Sequence, residues 1–100
     1  MMLNIELSPG AQIEFDEAAD WYGAEDPDLK ARFIDEINST LGLVQHSPSS
    51  FPVTHGTGVR RTVVRRFPYL ILFTVQAERI LVYSIFHTSR NPIVWKGRVG

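Results

Sequence analysis

The stretch VRRTVVRRFPYLILFTVQAERILVYSIFHT, residues 59–88, decides the fold of this 100-residue chain. It is rich in β-branched and apolar residues, which are typical of strands. Pro68 and a polar connection at 76–78 divide it into three runs. These runs predict strands over 59–67, 68–75 and 79–88, with Pro68 between the first two or on an edge, where its missing donor is tolerated.

The residues before this stretch predict one strand and a first helix. Residues 3–7 alternate apolar and polar, which indicates a strand with one buried face. Ser8-Pro9 reads as an N-cap and a first helical residue. Apolar residues then recur at helical spacing up to Gly23, which is expected to end the helix. Four acids are expected on its solvent side: Glu14, Asp16, Glu17 and Asp20.

A second helix is predicted over residues 28–45, because Asp26-Pro27 repeats the cap signal and apolar residues step by three or four. Residues 46–58 are rich in Pro, Ser, Thr and Gly and are expected to form a loop. Asn91-Pro92 indicates a short helical turn over 93–96. The order is therefore β-α-α-β-β-β, an α+β domain in which a helical hairpin packs on one face of an antiparallel sheet.

Charge is divided between the two halves of the chain. Residues 1–50 carry ten acids and two bases, a net charge of −8, whereas residues 51–100 carry eight bases and one acid, a net charge of +7. The total of −1 conceals this asymmetry. An asymmetric chain of this kind is typical of proteins that bind an acidic or polyanionic partner through the basic half.

The composition excludes several classes of protein. There is no cysteine, so disulfides and thiolate metal sites are excluded. No apolar run reaches about 18 residues and the start lacks a signal peptide pattern, so we expect a cytoplasmic protein that does not span a membrane. The three histidines lack metal-ligand spacing, and we expect neither a metal nor a cofactor.

The last third of the chain contains a motif. Arg66-Phe67-Pro68-Tyr69 precedes an apolar strand, and the arrangement H-x2-R-x-P-x2-W-x2-R follows at residues 87–98. With the helix that ends in Trp21-Tyr22, these residues resemble the RelE/ParE superfamily of bacterial toxins from type II toxin–antitoxin pairs, which include plasmid stabilisation proteins. The resemblance covers essentially the whole chain.

The resemblance implies a growth-inhibiting toxin that is neutralised by a cognate antitoxin, which we expect to be small and largely acidic. RelE-like members cut messenger RNA on the ribosome without a metal, and ParE-like members poison DNA gyrase. Fold alone does not choose between these activities. A non-toxic binding module is a third alternative, and a homodimer is left open.

A catalytic hypothesis rests on His87, Arg65 and Arg90. His87 would act as base or acid at a 2′-hydroxyl or a leaving oxygen, while the two arginines stabilise charge on phosphorus. The structural alternative is that His87 ends a strand and hydrogen-bonds to the turn at 89–91. The resemblance implies a catalytic tyrosine near the C-terminus where this chain has Trp95, whose indole cannot relay a proton. We therefore favour the ParE-like activity.

Further basic and aromatic residues are candidates for binding a protein or nucleic acid. Guanidinium groups bind carboxylates and phosphates in a bidentate manner, and the arginines are expected to gather into one cationic patch. Strand alternation would place Arg61 and Arg65 on one face and Arg60 and Arg66 on the other. The alternative is that single arginines pair with the acidic helices. The candidates are Arg60, Arg61, Arg66, Arg79, Trp95 and Arg98.

Overall fold

The structure is a computed structural model that describes residues 3–56 and 58–89. The helical turn expected at 93–96, together with Arg90, Trp95 and Arg98, lies outside the described residues. The elements are β1 (Asn4–Leu7), α1 (Pro9–Glu25), α2 (Pro27–His46), a 3-10 turn (Pro48–Ser50), β2 (Val53–His55), β3 (Val59–Val63), β4 (Tyr69–Val75) and β5 (Arg79–His87). The α+β class and the predicted element order are confirmed, with β2 added inside the segment expected to be a loop.

The five strands form one sheet in the order β1-β5-β4-β3-β2. Strands β2 to β5 pair antiparallel, as expected, but β1 pairs parallel with β5 through Ile5 and Ile80. The sheet is therefore mixed. Alternation in β1 indicated that one face is buried, but it carried no information about the direction of a partner strand some 75 residues away.

The two helices form a hairpin that is joined by one residue, Asp26. Its backbone is extended, its N–H donates to Tyr22 O at the end of α1, and its side chain accepts from Asp28 N at the start of α2. We expected Gly23 to end α1, but the helix continues to Glu25. The conformation of Gly23 is helical, and its small size instead permits a close approach to Lys30 of α2.

The main core lies between the hairpin and one face of the sheet. Phe33 of α2 is fully buried at its centre, with its ring centroid 5.0 Å from that of Tyr22, 5.2 Å from Phe67 and 5.3 Å from Tyr69. Edge-to-face and tilted rings at these distances are favourable aromatic arrangements. Tyr69 is thus a core aromatic. The opposite face of the sheet carries a smaller buried cluster of Val59, Leu72 and Phe86.

The turn between β3 and β4 corrects the predicted strand boundaries. β3 ends at Val63, so Arg65 and Arg66 lie in the turn and do not alternate across the sheet. Arg66 has a φ of +70°, in the left-handed region that residues other than Gly, Asn and Asp rarely adopt. The turn closes through Val64 N, which donates to Tyr69 O at 3.0 Å. We name residues 65–68 the arginine turn.

One acid of α1 was assigned to the wrong side of the helix. Glu14 is buried, with 6% of its surface exposed, whereas Asp16, Glu17 and Asp20 lie on the exposed side as expected. Its Oε1 accepts hydrogen bonds from Ser84 Oγ at 2.8 Å and from Ile85 N at 3.1 Å. Buried carboxylates require such partners, and periodicity within α1 could not reveal partners on a strand 70 residues away.

Candidate functional site

A groove lies at the end of the sheet where β4 begins and β5 ends, between the sheet and the C-terminal half of α1. Its volume is about 570 Å³. We name it the His87 groove. Its lining residues are Glu17, Ala18, Trp21 and Tyr22 of α1 and Pro68, Tyr69, His87 and Ser89 of the sheet end. Apolar and aromatic walls with a few polar groups are typical of binding sites.

His87 is held by the turn that follows β5. Ser89 donates its backbone N–H to His87 Nδ1 at 3.2 Å, and Ser89 Oγ lies 2.7 Å from the same nitrogen. The predicted hydrogen bond between His87 and the turn is confirmed. A nitrogen that accepts a hydrogen bond carries no proton, so the proton of the neutral ring lies on Nε2. The imidazole also contacts the edge of the Tyr69 ring, with centroids 5.3 Å apart.

Trp21 forms the outer wall of the groove. The residue is 62% exposed, and its ring lies edge-on to that of Tyr22, with the centroids 5.1 Å apart. Tyr22, in contrast, contacts Phe33 of α2, with the ring centroids 5.0 Å apart. An exposed indole beside an open groove offers a flat apolar surface to a ligand or a partner.

Arg65 and Arg66 are exposed in the arginine turn. Neither lines the His87 groove, although Pro68 of the same turn does. Within the described ranges, neither guanidinium has a hydrogen bond or an ion pair. Arg66 instead borders a second depression beside α2, which is also lined by Arg32, Asp35 and Glu36. These two arginines are therefore accessible to a partner.

The other described arginines of residues 51–100 already have protein partners. Arg60 donates to Phe51 O at 2.6 Å, and Arg61 donates to Thr54 Oγ1 at 3.2 Å. Arg79 forms a salt bridge with Glu6 and donates to Gln76 Oε1 at 2.7 Å. Glu6 belongs to β1, so this salt bridge is not the expected pairing of an arginine with an acidic helix.

The described arginines do not form the single cationic patch that we expected. Arg79 begins β5 and lies beside the end of β4, whereas the arginine turn precedes β4. The seven residues of β4 span about 20 Å at roughly 3.3 Å per residue. Arg60 pairs with Phe73 on the helix side and Arg61 with Leu72 on the opposite face. Among the described arginines of residues 51–100, only Arg65 and Arg66 are adjacent and without a protein partner, and Arg32 of α2 borders the same depression as Arg66.

Sequence reasoning missed the contribution of α1 to this groove. Glu17 and Trp21 are four residues apart, a spacing that places two side chains on the same face of a helix. That spacing could have indicated a shared surface, but not that β4 and β5 end beside it.

The described residues contain no group of three metal-ligating side chains, and none of their helices is long and apolar enough to cross a membrane.

The chain is similar to known proteins both in sequence and in fold. A family profile described as "ParE toxin of type II toxin-antitoxin system, parDE" matches residues 5–92. The fold is similar to that of a solved chain titled "Chromosomal ParDE TA system from P. aeruginosa", with a TM-score of 0.77 and 19% sequence identity over 88% of this chain and 98% of that chain. No curated protein sequence gives a significant match.

Proposed function

The chain belongs to the ParE toxin family of type II toxin–antitoxin systems, and from this premise we propose that it inhibits growth by binding DNA gyrase and is neutralised by a cognate acidic antitoxin. The observation that supports a binding mechanism over a catalytic one is the hydrogen bonding of the His87 ring, which determines which nitrogen carries the proton. Its Nδ1 accepts from the Ser89 backbone, so the nitrogen left for chemistry, Nε2, carries the proton of the neutral ring. A general base needs that nitrogen proton-free.

The charge of the His87 groove supports the same choice. Its described lining contains one carboxylate, Glu17, and no lysine or arginine. Among the described residues, a phosphodiester in the groove would meet the Glu17 carboxylate and no cation, whereas cleavage requires cations to stabilise the extra charge on phosphorus. Arg65, which we considered for that task, lies in the arginine turn and does not line the groove. Arg90, the other arginine of the catalytic hypothesis, lies outside the described residues.

The arginine turn is the proposed contact for the antitoxin. Arg65 and Arg66 are exposed, adjacent and without partners among the described residues. Their guanidinium groups can therefore donate hydrogen bonds to carboxylates of a partner without first breaking an internal bond. A partner that carries acidic side chains fits this surface by charge. The exposed acids of α1 would repel such a partner, so we place docking at the arginine turn and not on the solvent side of α1.

One observation favours a second candidate, a RelE-like ribosome-dependent RNase. His87 and Glu17 line the same groove, and an imidazole with a carboxylate is a common acid–base combination. The two candidates differ in the need for His87. The RNase requires its imidazole for proton transfer, whereas a gyrase poison does not.

The experiment compares wild type with His87→Ala and with the double variant R65A/R66A. Growth after induction, gyrase supercoiling and cleavage of messenger RNA on translating ribosomes are measured for each. We expect the wild type to arrest growth and inhibit supercoiling, and H87A to keep that inhibition within about threefold, or about 0.7 kcal/mol. We expect R65A/R66A to bind the antitoxin about 2- to 30-fold less tightly, since an exposed pair contributes about 0.2–1 kcal/mol per arginine.

Two results would overturn the proposal. RNA fragments with cyclic-phosphate ends that disappear in H87A would establish the RNase instead. Harmless expression of the folded wild-type chain would indicate a non-toxic binding module.

A further inference from the structure

An irregularity in β5 determines which way its last residues face. Leu72 of β4 pairs with Ser84, and the next residue, Phe73, pairs with Val82. Tyr83 is therefore an extra residue in β5, which is the definition of a β-bulge. A bulge of one residue shifts the alternation of all side chains that follow it.

The burial pattern shows this shift. Before the bulge, Ile80 and Val82 point into the core beneath the helices, whereas after it the residue in that core is Ile85. Tyr83 and Phe86 belong to the cluster on the opposite face. In a strand without the bulge, Ile85 would follow Tyr83 to that opposite face.

His87 depends on the same shift. It lies two residues beyond Ile85 and therefore on the helix side, where it lines the His87 groove with Trp21 and Tyr22. Without the extra residue, the imidazole would point to the other face of the sheet, away from α1 and from Tyr69. The bulge thus determines whether the groove contains a histidine.

Two residues from the start of the chain hold the bulge. Ser8 Oγ donates to Tyr83 O at 3.1 Å, and Ser8 N donates to Val82 O at 2.9 Å. Glu14 Oε1 accepts from both Ser84 Oγ and Ile85 N, at 2.8 and 3.1 Å. A bulge interrupts the ladder, and a buried N–H needs an acceptor. Glu14 supplies it for Ile85, at the point where the alternation changes.

We infer that Glu14 is a positioning residue for His87: its buried carboxylate holds the Tyr83–Ser84 bulge and thereby turns the imidazole into the groove. The inference goes beyond the proposed function and does not depend on the target of the toxin. What Glu14 contributes is an acceptor atom. Glutamine retains an oxygen at the same distance along the side chain, whereas leucine retains only the bulk.

The test uses isotopically labelled full-length protein with Glu14→Gln, Glu14→Leu and, as a control, Asp16→Leu on the exposed side of α1. The readouts are the nuclear Overhauser effects between the His87 and Tyr69 rings and the hydrogen exchange of the Ile85 amide relative to that of Ile37. We expect E14L to lose the ring contacts and to exchange Ile85 at least about tenfold faster relative to Ile37, since the buried N–H loses its acceptor. E14Q and D16L are expected to keep both signals.

A merely structural role for Glu14 would change the exchange of Ile85 and Ile37 in parallel and leave the ring contacts intact. That result, or equal loss in E14Q and E14L, would overturn the inference. If E14L does not fold, Ser84→Ala provides the test, because it removes the hydrogen bond from Ser84 Oγ to Glu14 Oε1. S84A is expected to weaken the contacts between the His87 and Tyr69 rings and to accelerate hydrogen exchange of the Ile85 amide relative to that of Ile37. Unchanged signals in S84A would then overturn the inference.

Discussion

Gly23 of α1 faces Lys30 of α2 so closely that a β-carbon added at Gly23 would lie 2.9 Å from Lys30 Cδ. The neighbouring atom belongs to a flexible side chain whose amine makes a 3.4 Å ion pair with Asp20 on the surface. The contact therefore limits the size of residue 23, but it can relax. The role of Gly23 is therefore to leave room for the Lys30 side chain and not to end the helix.

Gly23→Ala is expected to raise the free energy of unfolding by about 0.5 kcal/mol. Alanine gains about 1 kcal/mol over glycine in a helix interior, and moving Lys30 away from Asp20 offsets part of that gain. Thermal or denaturant unfolding measures the change. Gly42→Ala in α2 is the matched control, because a β-carbon there meets nothing within 4 Å, so the full gain is expected. If G23A were less stable than wild type, the contact with Lys30 would be rigid and our interpretation wrong.

Arg66→Gly is expected to be more stable than Arg66→Ala by roughly 1 kcal/mol. Both variants lose the guanidinium, but only glycine adopts the φ of +70° without a steric cost. Denaturant unfolding compares the two proteins. Binding of the antitoxin is expected to weaken equally in both, since the lost charge is the same. Unequal affinities would mean that the backbone of the turn, and not the charge of Arg66, matters for binding.

Arg79→Gln is expected to leave antitoxin affinity unchanged. Arg79 is paired with Glu6 and lies at the far end of β4 from the arginine turn. The pair is exposed, so its loss is expected to lower the free energy of unfolding by at most about 1 kcal/mol. Titration calorimetry against the antitoxin measures affinity, with R65A/R66A as the comparison. A loss in R79Q as large as in that double variant would argue for one extended binding surface.

Phe33→Ala is expected to destabilise the fold by about 3–5 kcal/mol, because the fully buried ring contacts Tyr22, Phe67 and Tyr69 and leaves a cavity when removed. Leu43→Ala on the same helix is the control. Leu43 is 60% exposed, so a change below about 0.5 kcal/mol is expected. Similar losses in the two variants, measured by urea unfolding, would contradict the proposed location of the core.

Much of the fold was predictable because it depends on local patterns. Proline and cap residues located the starts of both helices at Ser8-Pro9 and Asp26-Pro27, and apolar runs located β4 and β5. The missed features depend on contacts between distant segments. The parallel pairing of β1 with β5 and the burial of Glu14 each involve residues at least 70 positions apart, which no local periodicity encodes.

The candidate site was predictable only in part. The hydrogen bond of His87 to the turn after β5 was expected, since it involves residues two positions apart. The groove was not expected, because it requires α1 to lie beside the ends of β4 and β5. Arg79 and the arginine turn carry the same kind of side chain, yet strand geometry separates them, and Arg79 is paired whereas Arg65 and Arg66 have no partner among the described residues.

The sequence by itself determined the α+β class, the order of helices and strands and the sign of charge on each half, because these follow from composition, caps and periodicity along the chain. Only the tertiary structure decided which charges remain accessible and which face His87 occupies. The physical reason is that a single extra residue in β5, held by a carboxylate from α1, reverses the side on which every later side chain of that strand lies.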